Sequence, residues 1–497
     1  MKIFGAAEVR KADELTLHNQ QITSTDLMER AATQAYLWLK IKFPDKETLF
    51  HVFCGQGNNG GDGLVISRLL KQDNYHVVLD IIESAGKPSA DFSINLDKAK
   101  EAGITINHKK EYQYTKGELV IIDAIFGIGL TREPDDAVKA TINEINNNSS
   151  ATVVSIDVPS GMFLDRKTEI AVQADYLLTF QFPKLAFYLP DNYKYCTIIE
   201  ILDIGLDKQF LNDTPSDYYL TDRAEAIKRF KPLFAYAHKG TQGHALIIGG
   251  SYGKIGAACL SAKAALKTGC GLVTAYIPEC GYNIMQTYLP EAMVLTEGEK
   301  RLHNINFDIK PNAVGIGMGV GQHPETQTAL YNFFKNNAAP LVIDADALNI
   351  LSGNKEWLKL LPENTILTPH PKELERLIGS WENDFDKLEK LKVFSTQHKV
   401  IVVAKDARTL VVQGDKVCIN ASGNAALATG GSGDVLAGII TSLVAQGYAP
   451  VDAAVFGVYL HGLTADIAVK EISAQSFTAS DIVEYLSKAY NNIAAEY

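Results

Sequence analysis

Asn420-Ala-Ser-Gly-Asn-Ala-Ala-Leu-Ala-Thr-Gly-Gly-Ser-Gly-Asp-Val-Leu-Ala-Gly438 is the stretch on which the reading of this chain turns. Its first half is polar and glycine-rich, and an apolar run from Val435 to Ala445 follows at once. Gly430, Gly431 and Gly433 carry no Cβ, so the backbone there can approach a ligand closely. The helix predicted behind them presents unpaired N–H groups and the positive end of its dipole, a ready anion site. Asp434 falls in the first turn of that helix. An acid at this place favours any helix end. Beside a bound phosphate, however, it repels the ligand unless a metal ion or a reacting hydroxyl intervenes. Four glycines through Gly438, with Thr429 and Ser432 among them, point to the phosphate site. A branched side chain at Gly431 is therefore expected to block the phosphate path without a matching loss of thermal stability.

Working back from this stretch, apolar strands alternate with helical runs. Strands are predicted at His244 to Ile248, Val314 to Met318, Leu341 to Asp344, Thr365 to Thr368 and Val400 to Ala404. Closing helices are predicted over about 450–470 and 478–489. Gly249-Gly-Ser-Tyr-Gly-Lys-Ile-Gly256 is not a Walker A loop, because Ile255 follows the lysine and the leading glycine is out of register. The polar segment 207–222 is the predicted linker. At 497 residues the chain is too long for one typical core. A net charge of −11 excludes a nucleic-acid footprint. No apolar run reads as a membrane span, and Val435 to Ala445 is expected to be a buried helix. Cys54, Cys196, Cys259, Cys270, Cys280 and Cys418 form no C-x-x-C pair. They are expected to be reduced, in a cytoplasmic protein.

The first half repeats the alternation. A helix is predicted over 10–40. Strands are predicted at Leu49 to Cys54, His76 to Ile82, Val120 to Asp123, Thr152 to Asp157, Asp175 to Phe180 and Thr197 to Leu202. Near-continuous apolar strands between helices argue a parallel sheet covered on both faces, with ligands at the strand ends. Gly55-x-Gly57-x-x-Gly60 with Asp80 matches the dinucleotide fingerprint. The polar Asn58, Asn59 and Asp62 are odd in a backbone-only pyrophosphate cradle. Asp123 and Asp157 close two strands on the same edge. Asn59, Asp123 and Ser160 or Asp157 converge as oxygen donors suited to a hard cation. A turn at Asp157-Val-Pro-Ser-Gly161 and a helix cap at Asp123 are the plainer alternative.

Asn58-Asn-Gly-Gly-Asp-Gly63, Asp123-Ala-Ile-Phe-Gly-Ile-Gly-Leu130, Ser155-Ile-Asp-Val-Pro-Ser-Gly161 and Asp175-Tyr-Leu-Leu-Thr-Phe180 together resemble NAD(P)H-hydrate epimerases. The resemblance implies potassium held by Asn59, Asp123 and Ser160. It implies hydrate binding by Asn58, Asn59, Gly60, Gly61 and Asp62, by Gly127, Ile128, Gly129, Leu130, Thr131, Arg132 and Glu133, and by Asp157. Asp157 is the expected proton-handling group, with Lys184 as second candidate.

The glycine-rich stretch resembles the ribokinase-like kinases. Together with His238-Lys-Gly-Thr-Gln-Gly243, Asp344-Ala-Asp-Ala-Leu348 and Thr368-Pro-His-Pro-Lys-Glu-Leu374, it looks like ADP-dependent NAD(P)H-hydrate dehydratases. The resemblance implies ADP binding by Lys405, Asp406, Ala407, Arg408 and Thr409. It extends that binding to Asn424, Ala425, Ala426, Leu427, Ala428, Thr429, Gly430, Gly431, Ser432 and Gly433. It implies hydrate binding by Gly321, by His370, Pro371, Lys372, Glu373, Leu374 and Glu375, and by Asp434, the expected catalytic base. Asp406 stands where a glycine usually follows the lysine.

The expected architecture is α/β: a Rossmann-like three-layer parallel-sheet domain over 1–213, then a ribokinase-like three-layer α/β domain over 214–497. The expected activity is repair of hydrated NADH and NADPH, by R/S epimerisation and ADP-dependent dehydration of the S form. K+, Mg2+ and ADP are the expected cofactors and co-substrate. The expected partners are the small molecules NADHX, NADPHX and ADP and further copies of the chain, with no nucleic acid and no membrane. Two alternatives stand beside this reading. One is a vitamin-precursor kinase fused to a Rossmann-like nucleotide-binding module, and the other is a non-catalytic N-terminal binding module.

Overall fold

Gln21, in the left-handed region at φ 52°, breaks the helix expected over 10–40 into α1 (Ala6–Gln20) and α2 (Ser24–Lys42). Thr23 starts α2 with a capping box. Its hydroxyl accepts from the Asp26 N–H at 3.1 Å, and the Asp26 carboxylate accepts from the Thr23 N–H at 2.9 Å. The computed structural model describes residues 1–83, 87–107 and 118–495. The chain divides into two units, Lys2–Ser216 and Asp217–Tyr497. The segment predicted as a linker is folded. Asp207 caps the short helix Lys208–Asp213, and Tyr218–Thr221 is a strand. Its polar residues reflect capping rather than a free connection.

The seven-stranded sheet of the first unit is built from β1 (Leu49–Cys54), β2 (His76–Ile81), β3 (Ile106–Asn107), β4 (Leu119–Ala124), β5 (Ala151–Ile156), β6 (Ala174–Phe180) and β7 (Cys196–Leu202). Among the described residues they pair in parallel in the order β3-β2-β1-β4-β5-β6-β7. This is the doubly wound order, and it reverses between β1 and β4, where a crevice opens at the strand ends. Helix α3 (Asn58–Gln72) leaves β1 through the glycine loop. A Cβ on Gly60 would lie 1.7 Å from the Gly55 carbonyl oxygen, and one on Gly63 would lie 2.6 Å from Cys54 Sγ. These glycines let the helix start close against the sheet. Asp80, the fingerprint acid, lies 2.7 Å from His51 Nε2 on the neighbouring strand.

The second unit has strands β8 (Tyr218–Thr221), β9 (His244–Ile248), β10 (Leu272–Ile277), β11 (Met293–Thr296), β12 (Ala313–Ile316), β13 (Leu341–Ile343), β14 (Ile366–Leu367), β15 (Ile401–Ala404), β16 (Leu410–Gln413) and β17 (Lys416–Asn420). Within the unit their order is β8-β17-β16-β15-β14-β13-β12-β9-β10-β11. The run from β11 to β15 is parallel, whereas β15, β16 and β17 pair antiparallel. Helices important to the site are α4 (Ile255–Lys267), α5 (Ala345–Gly353), α6 (Pro371–Ile378), α7 (Ser432–Ala445), α8 (Pro450–Ala468) and α9 (Ala479–Ala494). Helices α4, α7, α8 and α9 share one apolar core. Gly438 belongs to that core, since a Cβ there would lie 2.2 Å from the Ser261 carbonyl oxygen. It is thus a helix-crossing glycine rather than part of an anion loop. Contrary to the sequence reading, one helix, α8, is long and apolar enough to cross a membrane, but most of it is buried inside the unit. All six cysteines are free thiols.

Candidate functional site

The crevice of the first unit holds a cavity of about 610 Å³. Asn58, Asn59, Asp62, Gly127, Ile128, Gly129, Leu130 and Asp157 line it. Gly60, Gly61, Thr131, Arg132 and Glu133 are not among its lining residues. For Gly61 the reason is local: a Cβ there would meet Met28 Sδ at 2.6 Å. Asp157 is held in the left-handed region, at φ 64°. Such a conformation is uncommon for a residue with a Cβ, though Asp tolerates it better than most. Its Oδ1 accepts from Lys184 Nζ at 2.7 Å. Lys184 is fully buried and also donates to Thr179 Oγ1. The two proton-handling candidates of the sequence reading are therefore one ion pair. Asp62, buried at the cavity wall, is pushed well above the usual carboxylate range by burial and by the charge of Asp157. Asp13 of α1 also lines the cavity, and the sequence reading missed it. Burial, reinforced by Asp157, raises its carboxyl to about 7.

Asp123 lies beneath this cavity, fully buried in β4. Its Oδ2 accepts from Ser155 Oγ at 2.7 Å and from the Ser160 N–H at 2.8 Å. Its Oδ1 accepts from Ser160 Oγ and, at 3.3 Å, from the Ile125 N–H. Burial raises its carboxyl, against the lowering pull of these hydrogen bonds. Asp123 thereby ties the loop after β5 to the loop after β4. Asn59 donates its amide to the Ile156 carbonyl at 3.1 Å, while its buried Oδ1 has no hydrogen-bond partner among the described residues. A buried amide oxygen left unpaired costs free energy unless something donates to it or a cation sits on it. Asp123 and Ser160 are hydrogen-bonded to each other, and with Asn59 the three offer oxygen donors of the kind a hard cation takes. No cluster of three His, Cys, Asp or Glu side chains suited to a metal ion occurs among the described residues.

Cavities of about 1000 and 390 Å³ open in the second unit. Lys405, Asp406, Ala407, Arg408, Thr409, Asn424, Ala425, Leu427, Ala428, Thr429, Gly431, Ser432 and Gly433 line the larger. Of the predicted nucleotide set, Ala426 turns into the core and Gly430 faces solvent. Ala345, Glu373 and Asp434 line both cavities, so Asp434 stands where they meet. Burial, with Asp344 adding to it, pushes Asp434 up to about 7. Lys405 Nζ pairs with Asp344 Oδ1 at 2.8 Å beside it. Ala345, between Asp344 and Asp346, is at φ 51°, a second non-glycine residue in the left-handed region at a site.

His370 caps α6, its Nδ1 accepting from the Lys372 N–H at 3.1 Å. It also lines the larger cavity, as does Glu373, whose carboxyl burial raises to about 7. Leu374 is core, and Pro371, Lys372 and Glu375 are exposed. Gly321 donates its N–H to Asp346 Oδ2 at 2.9 Å, and Asp346 lines the smaller cavity with Lys254. Three further contributors were missed. His461, neutral because burial lowers it to about 4, sits 3.1 Å from Ser432 Oγ in the glycine loop. Asp466 accepts from the Gly423 N–H and the Asn424 amide at 2.8 and 2.9 Å, fixing the loop's entry. Lys387, buried in its helix, meets Asp406 Oδ2 at 3.2 Å. That pairing neutralises the acid that stands in place of a glycine.

Gly431 starts α7 at φ 89°, but a Cβ there points to Leu260 Cδ1 at 2.6 Å and Ala479 Cβ at 3.0 Å. It points into packing, not into the phosphate path as expected from the sequence. Gly433 is the glycine whose Cβ would enter the site, 3.1 Å from Lys405 Nζ. Gly431→Val should therefore lose about 2–4 kcal/mol of stability from backbone strain and overpacking. Gly433→Ala should keep the melting temperature and lose nucleotide affinity. Denaturant unfolding and calorimetric titration of both variants check this pair of outcomes.

The comparisons with known proteins agree with this architecture. The family model described as NAD(P)H-hydrate dehydratase matches residues 245–488, and that described as YjeF-related protein N-terminus matches 24–186. The chain is similar to the bifunctional NAD(P)H-hydrate repair enzyme Nnr of Moorella thermoacetica, at 31% identity over 100% of this chain and 98% of that protein. The enzyme of the same description from Escherichia coli is 30% identical over 98% of this chain and 94% of its own. Among solved structures, an ADP/ATP-dependent NAD(P)H-hydrate dehydratase from Bacillus subtilis, co-crystallised with ATP and Mg2+, superposes with a TM-score of 0.50. It does so at 28% identity, over 55% of this chain and 98% of that one. A doubly wound first unit, a second unit with a glycine loop at a helix start, and full-length similarity to these proteins lead to one conclusion: the chain belongs to the family of bifunctional NAD(P)H-hydrate repair enzymes.

Proposed function

We propose that the unit Lys2–Ser216 interconverts the R and S hydrates of NADH and NADPH, and that the unit Asp217–Tyr497 dehydrates the S hydrate with ADP. The position of Asp434 at the meeting of two cavities carries this reading. The larger cavity, with the glycine loop and Lys405, takes the nucleotide, and the smaller takes the hydrated ring. Asp434 then accepts the proton of the ring hydroxyl as its oxygen attacks the terminal phosphorus of ADP. AMP departs with the electron pair of the broken P–O bond. The ring nitrogen next expels phosphate, and loss of a ring proton restores the double bond of the reduced coenzyme. Lys405 and the backbone N–H groups at the start of α7 bind the phosphate charge. Mg2+ would be held largely by the phosphate oxygens. Supplying purified hydrate mixture and ADP should restore the absorbance of the reduced ring completely. With ADP omitted, chromatography should show the two epimers equilibrating without loss. A vitamin-precursor kinase would instead phosphorylate hydroxymethyl substrates and leave the hydrates untouched.

In the first unit, Asn59, Asp123 and Ser160 would hold a potassium ion, which when bound supplies positive charge under the crevice. Asp123→Ala should abolish epimerisation and leave dehydration of pure S hydrate at the wild-type rate. Because Asp123 also ties two loops together, its loss is expected to destabilise the first unit as well. The cation is therefore tested separately, by comparing epimerisation in potassium and potassium-free buffer. Equal rates would exclude it.

A further inference from the structure

We propose that Asp13, on the helix that walls the first unit's cavity, is the general acid of epimerisation, working opposite Asp157 as base. The inference rests on the epimerase reading above and assigns a residue that the sequence motifs do not contain. The hydrate is a hemiaminal, in which one ring carbon carries both the hydroxyl and the ring nitrogen. Inverting that carbon requires its C–N bond to break and re-form on the other face. As the hydroxyl proton leaves, the oxygen's electron pair makes a C=O bond and the C–N pair moves onto nitrogen. A proton must then reach that nitrogen. Rotation about the adjacent C–C bond and reclosure run both transfers in reverse, so nothing is consumed and no co-reactant is needed. The chemistry demands two groups in opposite protonation states, one on each side of the ring.

The cavity supplies such a pair. Asp157 is ion-paired to the buried Lys184 at 2.7 Å and projects into the cavity from a strained loop. Asp13 lines the same cavity from α1 and has no cationic partner within salt-bridge distance among the described residues. The other charged groups facing it are Asp62 of α3, Glu14 and Arg10 on its own helix, and Asp91 at the rim. Asp13 and Asp157 line the same cavity from different elements, and the negative charge of Asp157 favours the protonated form of Asp13. Burial and Asp157 together hold the Asp13 proton to about pH 7. Asp62 is the rival acid. It lines the same cavity, but its side chain is buried at the start of α3, whereas Asp13 is only half-buried and so the more open to proton exchange.

The test uses the full chain without ADP, following the epimers by chromatography. Wild-type epimerisation should fall about tenfold per pH unit above roughly pH 7, as the acid form is lost. Asp13→Asn should be about 10²-fold slower or worse and should lack that alkaline limb. Asp13→Glu should recover part of the rate, and Asp62→Asn should keep the limb. The melting temperature of Asp13→Asn at pH 8 should not fall, since a neutral amide replaces a charge that burial disfavours. Wild-type rate in Asp13→Asn, or a limb that disappears with Asp62→Asn instead, overturns the assignment. A wild-type chain that does not epimerise at all overturns the reading beneath it, a result distinguishable from the first.

Discussion

Asp434→Asn should return almost no reduced coenzyme from hydrate and ADP while equilibrating the R and S epimers at the wild-type rate. The carboxylate stands in the first turn of α7, where two cavities meet. Asparagine keeps its shape and leaves Gly431, Ser432 and Gly433 undisturbed, so ADP affinity should survive or improve slightly with one repelling charge gone. What is lost is the base, worth about 10²–10⁴-fold in rate. The helix-end charge that goes with it is worth only about 0.3–1 kcal/mol of stability. Epimer-resolved chromatography with ADP present decides the matter. Normal dehydration by the variant would reduce the glycine stretch to a binding loop.

The pH dependence of the same residue has a definite sign. Its folded carboxyl sits at about 7, above the ordinary carboxylate range of an unfolded chain, because of burial first and Asp344 second. A base must be ionised to work, so dehydration should fall as pH drops below about 7. Stability runs the other way. Between the unfolded value and about 7 the native state holds the extra proton, so stability is lost as pH rises across that window and is level above it. Asp434→Asn removes the slope. The variant should therefore be the more stable protein at pH 8, and denaturant midpoints at pH 5 and pH 8 measure the difference.

The sheets were legible because parallel strands buried on both faces read as near-continuous apolar runs. Leu119–Ala124 and Ile401–Ala404 are such runs, buried along their whole length. The hairpin Leu410–Gln413 and Lys416–Asn420 went unread, although Gly414-Asp415 between two short apolar stretches is a hairpin signal. Gly60 and Gly61 were read as ligand glycines and Gly431 as a place where a side chain would block the phosphate path, but a sequence does not tell which way a missing Cβ would point. In this fold those positions face Gly55, Met28 and Leu260. Asp13 was invisible for another reason. It lies on a helix with charged residues at Glu8, Arg10, Lys11 and Glu14, which reads as a solvated face. Only the fold shows that the Asp13 side of that helix closes a cavity. His461 hid inside an apolar helix, where a lone histidine carries no pattern at all.

Asp157→Asn should abolish epimerisation and, unlike Asp434→Asn, also destabilise its own unit. Asparagine tolerates the left-handed backbone at this position as well as aspartate does, so the φ of 64° adds no penalty. The cost comes from Lys184. Its ammonium is fully buried, and without the carboxylate it keeps only Thr179 Oγ1 and the Phe180 carbonyl. Breaking a buried ion pair by removing one partner typically costs about 3–5 kcal/mol, because the other charge stays behind. Replacing both charges should cost far less, so Asp157→Asn with Lys184→Met should recover most of the lost stability. It should recover none of the rate, since the group that takes the hydroxyl proton is still missing. Denaturant unfolding and epimer chromatography on the single and double variants separate the two roles. If the double variant regained epimerisation along with its stability, Asp157 would be there to house the lysine, and the proton would have to be taken by another group in the cavity.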